Sequence, residues 1–166
     1  MKQAISVLVA AMLLSYCGSH SNAMNDQQKA YEAIKNNIPG TVPVTADGYT
    51  MTVKMNGKEW TATSMMPPEA SNRIIGYNNG EYIGLPYGRS YMVVGKKIAF
   101  AEDNAVDLTT NDDVSIWGGR KGEMVITKVD ENSAEGTFYF TASTSRSTKT
   151  IEVTDGFFRI LLAKRQ

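Results

Sequence analysis

The chain has 166 residues, and its 17 lysines and arginines are balanced by 17 aspartates and glutamates, so its formal net charge is zero. This balance argues against nucleic acid as a partner, because phosphate binding needs a clear basic excess on one face. The single cysteine excludes an internal disulfide, and the single histidine, His20, leaves no histidine pair for a zinc site.

A secretion signal is indicated at the start of the chain. Lys2 precedes an apolar run over residues 4–14, which as a helix would rise about 16 Å and fall short of a hydrocarbon core of roughly 30 Å. Cys17 follows Leu-Ser-Tyr, an order similar to a lipobox. We therefore expect residues 1–16 to be a signal peptide and Cys17 to be lipidated, which would hold the exported protein on a membrane of the cell envelope.

Two details leave alternatives to this interpretation of the N-terminal residues. Tyr16 is bulky where a lipobox has a small residue, and ordinary cleavage after Ala23 is the competing interpretation. Residues 21–24, Ser-Asn-Ala-Met, also resemble a string left by expression vectors. On the lipoprotein interpretation the protein is anchored at the outer membrane, on the periplasmic or the surface face.

Residues 17–40 are interpreted as a lipidated tether that contains one short helix, and residues 41–166 as a single β domain. The helix is expected over residues 24–38, where Asp26 can cap the first turn and a Pro-Gly pair stops the element. Its apolar stripe can dock on a sheet. A helix this short is marginal without packing, so a partly ordered tether is the alternative.

From residue 49 onward the apolar residues alternate with a period of two, which predicts strands. Asn56-Gly57 is the strongest hairpin signal in the chain, and further signals stand at residues 78–80 and at Gly95. The strands that these turns connect are expected over residues 49–55, 58–63, 73–77, 81–85, 90–94 and 97–101.

The alternation resumes after a polar stretch, residues 102–113, which is interpreted as a surface loop. Turns are expected over residues 118–122 and at Asp155-Gly156. The strands expected here cover residues 114–117, 123–130, 135–142, 149–154 and 157–162. About ten short antiparallel strands without helices between them predict an all-β fold, a β-sandwich or partly open barrel preceded by one short N-terminal helix.

Aromatic residues are expected to build the core of this sheet. Phe138 and Phe140 share one face of their strand with Ala142, since residues two apart point to the same side. Trp60 and Trp117 are interpreted as core anchors rather than as platforms for a ligand.

Three motifs in the last third of the chain resemble a known family. They are residues 122–130 (Gly-Glu-Met-Val-Ile-Thr-Lys-Val-Asp), 136–142 (Gly-Thr-Phe-Tyr-Phe-Thr-Ala) and 151–158 (Ile-Glu-Val-Thr-Asp-Gly-Phe-Phe). They are similar to an uncharacterised lipoprotein family common in Bacteroidetes, and residues 56–60 resemble the early strand-turn-strand of that family. The resemblance implies a β-rich envelope domain behind a lipid anchor and carries over no catalytic residue. It does not extend to residues 77–113.

The unmatched middle of the chain is rich in tyrosine. Aromatic rings supply rigid contact area while amides and guanidinium groups orient polar groups, so this composition suits sugar or peptide recognition. The alternative is that tyrosine is simply a good strand residue with its hydroxyl at the rim. The candidate ligand-binding residues are Tyr77, Tyr82, Tyr87, Arg89 and Tyr91.

Chemistry that needs a histidine base is not expected, because His20 lies in the tether. The acidic stretch offers oxygen ligands of the kind that Ca²⁺ prefers, but its spacing fits no EF-hand loop, and solvated turns use the same residues. We therefore expect no metal, no cofactor and no catalytic residue. The calcium candidates, if the stretch binds one, are Asp103, Asp107, Asp112 and Asp113.

Three functions are compatible with these features. The first is a membrane-anchored, non-enzymatic binding or structural module of the cell envelope, whose partner is an envelope protein or a glycan. The alternative is a periplasmic inhibitor or immunity protein that plugs a lysozyme-like or toxin enzyme with residues 65–71 or 102–113. A hydrolase that uses acidic residues is the third, and nothing in the sequence indicates the paired carboxylates that it would need.

Overall fold

The structure, a computed structural model, describes residues 38–45, 48–102, 105–111 and 113–163. The predicted signal, the lipidation residue Cys17 and nearly all of the predicted helix 24–38 lie outside the described residues. So do Asp103 and Asp112. Residues 38–166 form one compact unit.

Antiparallel strands make up most of this unit, and they form a curled half-barrel with one short helix. The predicted all-β class is thus confirmed. The elements are β1 (Val42–Pro43), β2 (Thr50–Met55), β3 (Lys58–Thr61), β4 (Ser64–Met66), α1 (Pro68–Ser71), β5 (Arg73–Asn78), β6 (Glu81–Pro86), a 3₁₀ turn (Arg89–Tyr91), β7 (Lys97–Ala99), β8 (Val106–Thr110), β9 (Asp113–Val129), β10 (Ser133–Thr144) and β11 (Ser147–Leu161).

Two of the predicted hairpins form where Asn-Gly pairs allow a tight turn. Asn56 and Gly57 both have positive φ, 48° and 78°, and Asn79 and Gly80 have 47° and 85°. These angles match the twist of the flanking strands, so β2 pairs with β3 and β5 pairs with β6 directly.

Other predicted turns are wrong, because the strands run through them. β9 continues across residues 118–122 and β11 continues across Asp155-Gly156. Both places carry register shifts against β10 instead, with φ of 143° at Gly122 and 51° at Asp155. Glycine inside a strand indicates a bulge as readily as a turn, and bulges are what curl long strands.

The third predicted hairpin does not form, and the predicted surface loop contains a strand. Residues 90–94 do not pair with β7, which pairs with β9 instead. Within residues 102–113, β8 lies between β6 and β9, with Val106 and Leu108 fully buried. β8 is short and its neighbouring residues are polar, so the alternation of apolar residues is not visible in the sequence there.

The described strands form one sheet in the order β1-β4-β5-β6-β8-β9-β10-β11-β2-β3, with β7 pairing β9 off this path. The chain between β3 and β4 connects the two ends of the curl. Ala62 N–H donates to Met51 O on β2 at 2.9 Å, and Thr63 N–H donates to Tyr77 O on β5 at 2.8 Å. Residues 58–66 therefore bond to both ends of the sheet.

The core lies inside the curl and consists of side chains that alternate inward from each strand. Phe140 is 1% exposed and lies near Phe100 and Phe138, with ring centroids 6.0 and 6.3 Å away. The predicted common face of Phe138, Phe140 and Ala142 is confirmed. Trp60 and Trp117 are 5% and 4% exposed, as expected of core anchors.

Among the described residues, no helix has both the length and the apolar character that a membrane span requires.

Candidate functional site

Tyr77 and Tyr82, two of the predicted site residues, face each other on the outer side of the sheet. They are opposite residues of β5 and β6, and their ring centroids are 6.1 Å apart. Their strand neighbours Gly76 and Ile83 are buried, so the pleat turns both tyrosines outward, where they are half-buried.

An ion pair beside these rings fixes one of them. Arg73 Nη2 donates to Asp107 Oδ1, to Gly84 O at 2.8 Å and to Ala105 O at 3.1 Å. The Tyr82 hydroxyl donates to Asp107 Oδ2 at 2.9 Å. Both carboxylate oxygens of Asp107 are therefore engaged, and the Tyr82 ring is held in one position.

Gly84 makes this crossing possible. Arg73 lies on β5 and Asp107 on β8, with β6 between them. A Cβ at Gly84 would lie 3.2 Å from both Arg73 Nε and Asp107 Oδ1, which is tighter than ordinary van der Waals contact. The absence of a side chain on β6 therefore gives the guanidinium group its path over the sheet.

The tyrosine hydroxyls at this site hold their protons unusually firmly. Burial, with the negative charge and the hydrogen bond of Asp107, raises the pKa of Tyr82 to about 12. Burial and then the Asp107 charge raise the pKa of Tyr77 as well. At neutral pH both residues are uncharged donors beside a carboxylate.

This pKa shift predicts how alkaline pH affects the fold. Folded Tyr82 keeps its proton to about pH 12, whereas the unfolded chain releases it near the ordinary pKa of about 10. The stability that protonated Tyr82 contributes is thus present below about pH 10 and is lost as the pH rises through the folded pKa. Tyr82→Phe should cost about 1 kcal/mol at pH 8, and its difference from wild type should shrink between pH 10 and 12.

Urea unfolding at a series of pH values measures this difference. Tyr139→Phe, at an exposed tyrosine of β10, is the control. A Tyr82→Phe deficit that stays constant up to pH 12 would show that burial and Asp107 do not raise the pKa of Tyr82 in the folded protein.

Two more predicted site residues, Tyr87 and Arg89, lie at Glu69 of α1. The Tyr87 hydroxyl donates to Glu69 Oε1 at 3.1 Å, and Arg89 Nη2 lies 3.8 Å from the same oxygen. Burial alone would raise the pKa of Glu69, but hydrogen bonds from backbone N–H groups and Tyr87, with the Arg89 charge, hold that pKa below its usual value. Burial and Glu69 in turn raise the pKa of Tyr87 to about 12.

A shallow cavity of about 280 Å³ joins the two groups. Arg73, Tyr87 and Tyr91 are among the residues that line it. We call the combined area the tyrosine surface. It consists of Arg73, Tyr77, Tyr82, Tyr87, Arg89, Tyr91 and Asp107.

Sequence reasoning misses Arg73 and Asp107 as members of this surface. They are 34 residues apart in the chain, and no local pattern joins residues on strands that are not adjacent. From the sequence, Asp107 is a candidate for calcium binding alone. The one available signal is the small residue Gly84 between them, which indicates a close approach but does not say of what.

Of the four calcium candidates, the structure describes the side chain of Asp107 alone. Asp107 is bound to Arg73 and Tyr82, and Asp113 begins β9. In the ranges that the structure describes, no group of three or more histidine, cysteine, aspartate or glutamate residues is placed to hold a metal ion.

The segments predicted to plug an enzyme are built into the fold. Residues 65–71 form part of β4 and all of α1, and Glu69 points its carboxylate at Tyr87 and at Ala163 N–H, 3.1 Å away. Residues 102–113 contain β8. The inhibitor interpretation therefore stays a prediction from the sequence alone.

Comparison with known proteins identifies one family. Its model, described as a domain of unknown function (DUF6252), matches residues 48–161, which include β2 to β11. Comparison with curated proteins and with solved structures gives no match. An uncharacterised family is what the motifs in residues 122–158 predict.

Proposed function

We propose that this chain, which belongs to the DUF6252 family, is an exported lipoprotein whose β domain binds a partner in the cell envelope without catalysing a reaction. The tyrosine surface is the observation that carries the binding role. The anchor rests on the sequence before the described residues and on the resemblance to Bacteroidetes lipoproteins.

The tyrosine surface supports binding because its side chains are already fixed. Asp107 holds Tyr82 and Arg73, and Glu69 holds Tyr87 and Arg89. Binding a partner to these side chains costs little of their conformational entropy, since they are ordered before the partner arrives. Tyrosine and arginine are also the residues that dominate binding energy at protein interfaces.

The charges on this surface leave it neutral but polar. Arg73 is paired with Asp107 and Arg89 with Glu69, and the raised pKa values of Tyr82 and Tyr87 keep both hydroxyls protonated. Uncharged rings with paired ionic groups suit a partner rich in hydroxyl and amide groups, which both glycans and protein surfaces offer.

The binding role is tested with the double variant Tyr77→Ala/Tyr82→Ala as bait in envelope extract. These two rings lie on the outer face, and neither is packed against the core, so the fold should persist. Wild type should retain a partner that the double variant loses by about tenfold or more, which is the usual cost of removing two aromatic hot-spot residues.

Tyr139→Ala is the matched control, since this tyrosine is 53% exposed on β10 and belongs to a different part of the outer face. Protease or glycosidase treatment of the extract identifies the partner as protein or glycan. Equal capture by wild type and the double variant would overturn the binding role of the tyrosine surface.

The anchor is tested separately by growing the producing cells with labelled fatty acid. The full chain should incorporate label and sediment with membranes, and Cys17→Ala should do neither, because acyl chains attach to that thiol. Ordinary cleavage after Ala23 would instead yield an unlabelled, soluble product from both.

A further inference from the structure

A second cavity is lined by residues that do not belong to the tyrosine surface. We call it the mouth cavity, and its volume is about 560 Å³, within the range of ordinary ligand sites. Residues of six strands, β2, β3, β6, β8, β9 and β11, line it together with Asn56 of the turn after β2. The lining residues are Met55, Asn56, Lys58, Glu59, Trp60, Glu81, Thr110, Trp117, Ser147, Lys149, Thr150 and Ile151.

The first half of β11 borders this cavity with one edge unpaired. β2 pairs with β11 from Arg159 back to Val153 and then turns away at Asn56-Gly57 into β3. Within the described ranges, Ser147, Thr150 and Ile151 of β11 pair with β10 on one side and with no strand on the other. Beside the cavity, β11 therefore extends beyond the last residue of β2 that pairs with it.

The hydrogen bonds of Glu152 show which way the unpaired backbone groups of β11 point. Its N–H donates to Asn56 Oδ1 at 2.9 Å and its C=O accepts from Asn56 N–H at 2.8 Å, both on the β2 side. Backbone groups of a strand alternate sides with a period of two. Thr150, two residues earlier, thus directs its N–H and C=O to the same side, away from β10 and along the mouth cavity.

Both tryptophans line the cavity, and the indole N–H of one of them has no hydrogen-bond partner among the described residues. Trp60 Nε1 donates to Glu81 Oε2 at 2.9 Å. Trp117 Nε1 is buried and has no hydrogen-bond partner among the described residues. A buried donor without an acceptor costs free energy. The carbonyl oxygen of a ligand in the cavity would be such an acceptor.

We propose that the mouth cavity binds an extended segment of a partner protein, which pairs with β11 as an additional strand beyond the end of its pairing with β2. Backbone hydrogen bonds to Thr150 would hold the segment, and an apolar side chain would fill the space above Trp60 and Trp117. This division between backbone affinity and pocket specificity is how strand addition works elsewhere.

The lining favours a peptide over other occupants. Thr150 offers one backbone donor and one backbone acceptor at strand spacing, which an extended chain complements at each alternate residue. A glycan would need exposed ring faces, and both tryptophans are about 95% buried. Lys58, Lys149, Glu59 and Glu81 also line the cavity, so flanking residues of either sign find an opposite charge.

The test starts from random peptides displayed on phage and selected on the full-length protein. We expect selected peptides that contain an apolar residue within an extended, alternating stretch. The two tryptophans of the chain both line the cavity, so binding should change the intrinsic tryptophan fluorescence. Failure to select any peptide, or binding with unchanged fluorescence, overturns the proposal.

Thr150→Pro and Thr150→Ala form the matched pair. Proline removes the free N–H, and since that N–H points away from β10 the ladder bonds remain; alanine keeps the N–H and removes only the side chain. Thr150→Pro should weaken peptide binding at least about fivefold, while Thr150→Ala should bind as wild type does. Equal weakening by both, or by neither, contradicts strand addition.

Amide hydrogen exchange of the wild-type protein keeps the proposal testable if Thr150→Pro fails to fold. The Thr150 amide should exchange rapidly in the free protein and slow by about tenfold or more with a selected peptide bound. An unchanged rate overturns the proposal. So does a peptide-independent slowing that depends on protein concentration, because that result would assign the edge to a second copy of this chain.

Discussion

Gly122→Ala should lower the free energy of unfolding by about 3–5 kcal/mol, from backbone strain and overlap combined. Gly122 has φ of 143°, a conformation that side chains rarely adopt. Its added Cβ would overlap the Tyr139 carbonyl oxygen across the ladder and lie 2.7 Å from Phe140 Cα. Because these obstacles are backbone atoms of β10, no side-chain rotation relieves them.

Urea unfolding followed by circular dichroism measures this loss, and Gly118→Ala is its control. Gly118 lies on the same strand, but a Cβ there would meet nothing within 4 Å, so the free energy of unfolding should stay within about 0.5 kcal/mol of wild type. Equal midpoints for the two variants would mean that Gly122 lacks this positive φ and this close approach to β10.

Phe140→Ala should cost a similar amount, about 3–5 kcal/mol, because it leaves a cavity at the centre of the core. Its ring is 1% exposed and lies within 6.3 Å of the Phe100 and Phe138 rings, centroid to centroid. These neighbours belong to a sheet whose strands hold them in place, so the space cannot close fully.

The control is Tyr139→Ala, one residue earlier on β10. Tyr139 is 53% exposed on the outer face, so the same loss of an aromatic ring should cost less than about 1 kcal/mol. The ratio of the two effects tests the alternation of β10 directly, since a strand shifted by one residue would exchange them.

Local signals in the sequence are enough to predict individual strands and their faces. Asn56-Gly57 predicts its hairpin because positive φ at both residues suits the twist of the strands. Phe138 and Phe140 predict the inner face of β10 because side chains alternate. In each case the cause lies within a few residues of the effect.

Predictions fail where the cause lies far along the chain. The glycines of residues 118–122 look like a turn, yet β9 continues because β8 and β10 pair with it on both sides. Asp155-Gly156 is likewise held in β11 by β10 and β2. A turn signal describes what a backbone can do, and the neighbouring strands decide whether it bends into a hairpin or a bulge.

The predicted site differs from the observed one for the same reason, because the residues that meet there are far apart in the chain. The tyrosines are visible in the sequence as a composition, but the groups that hold them are not. Asp107 reaches Tyr82 only because β8 lies beside β6, and Arg73 reaches Asp107 only because Gly84 carries no side chain.

By itself the amino-acid sequence determined that most of residues 49–162 form antiparallel strands with an apolar inner face, because alternation and turn chemistry act between near neighbours. The tertiary structure alone decided the order of those strands, the closing role of residues 58–66 and the meeting of Arg73 with Asp107. Those features depend on which distant segments share backbone hydrogen bonds, and that choice is made by the energy of the whole sheet rather than of any one strand.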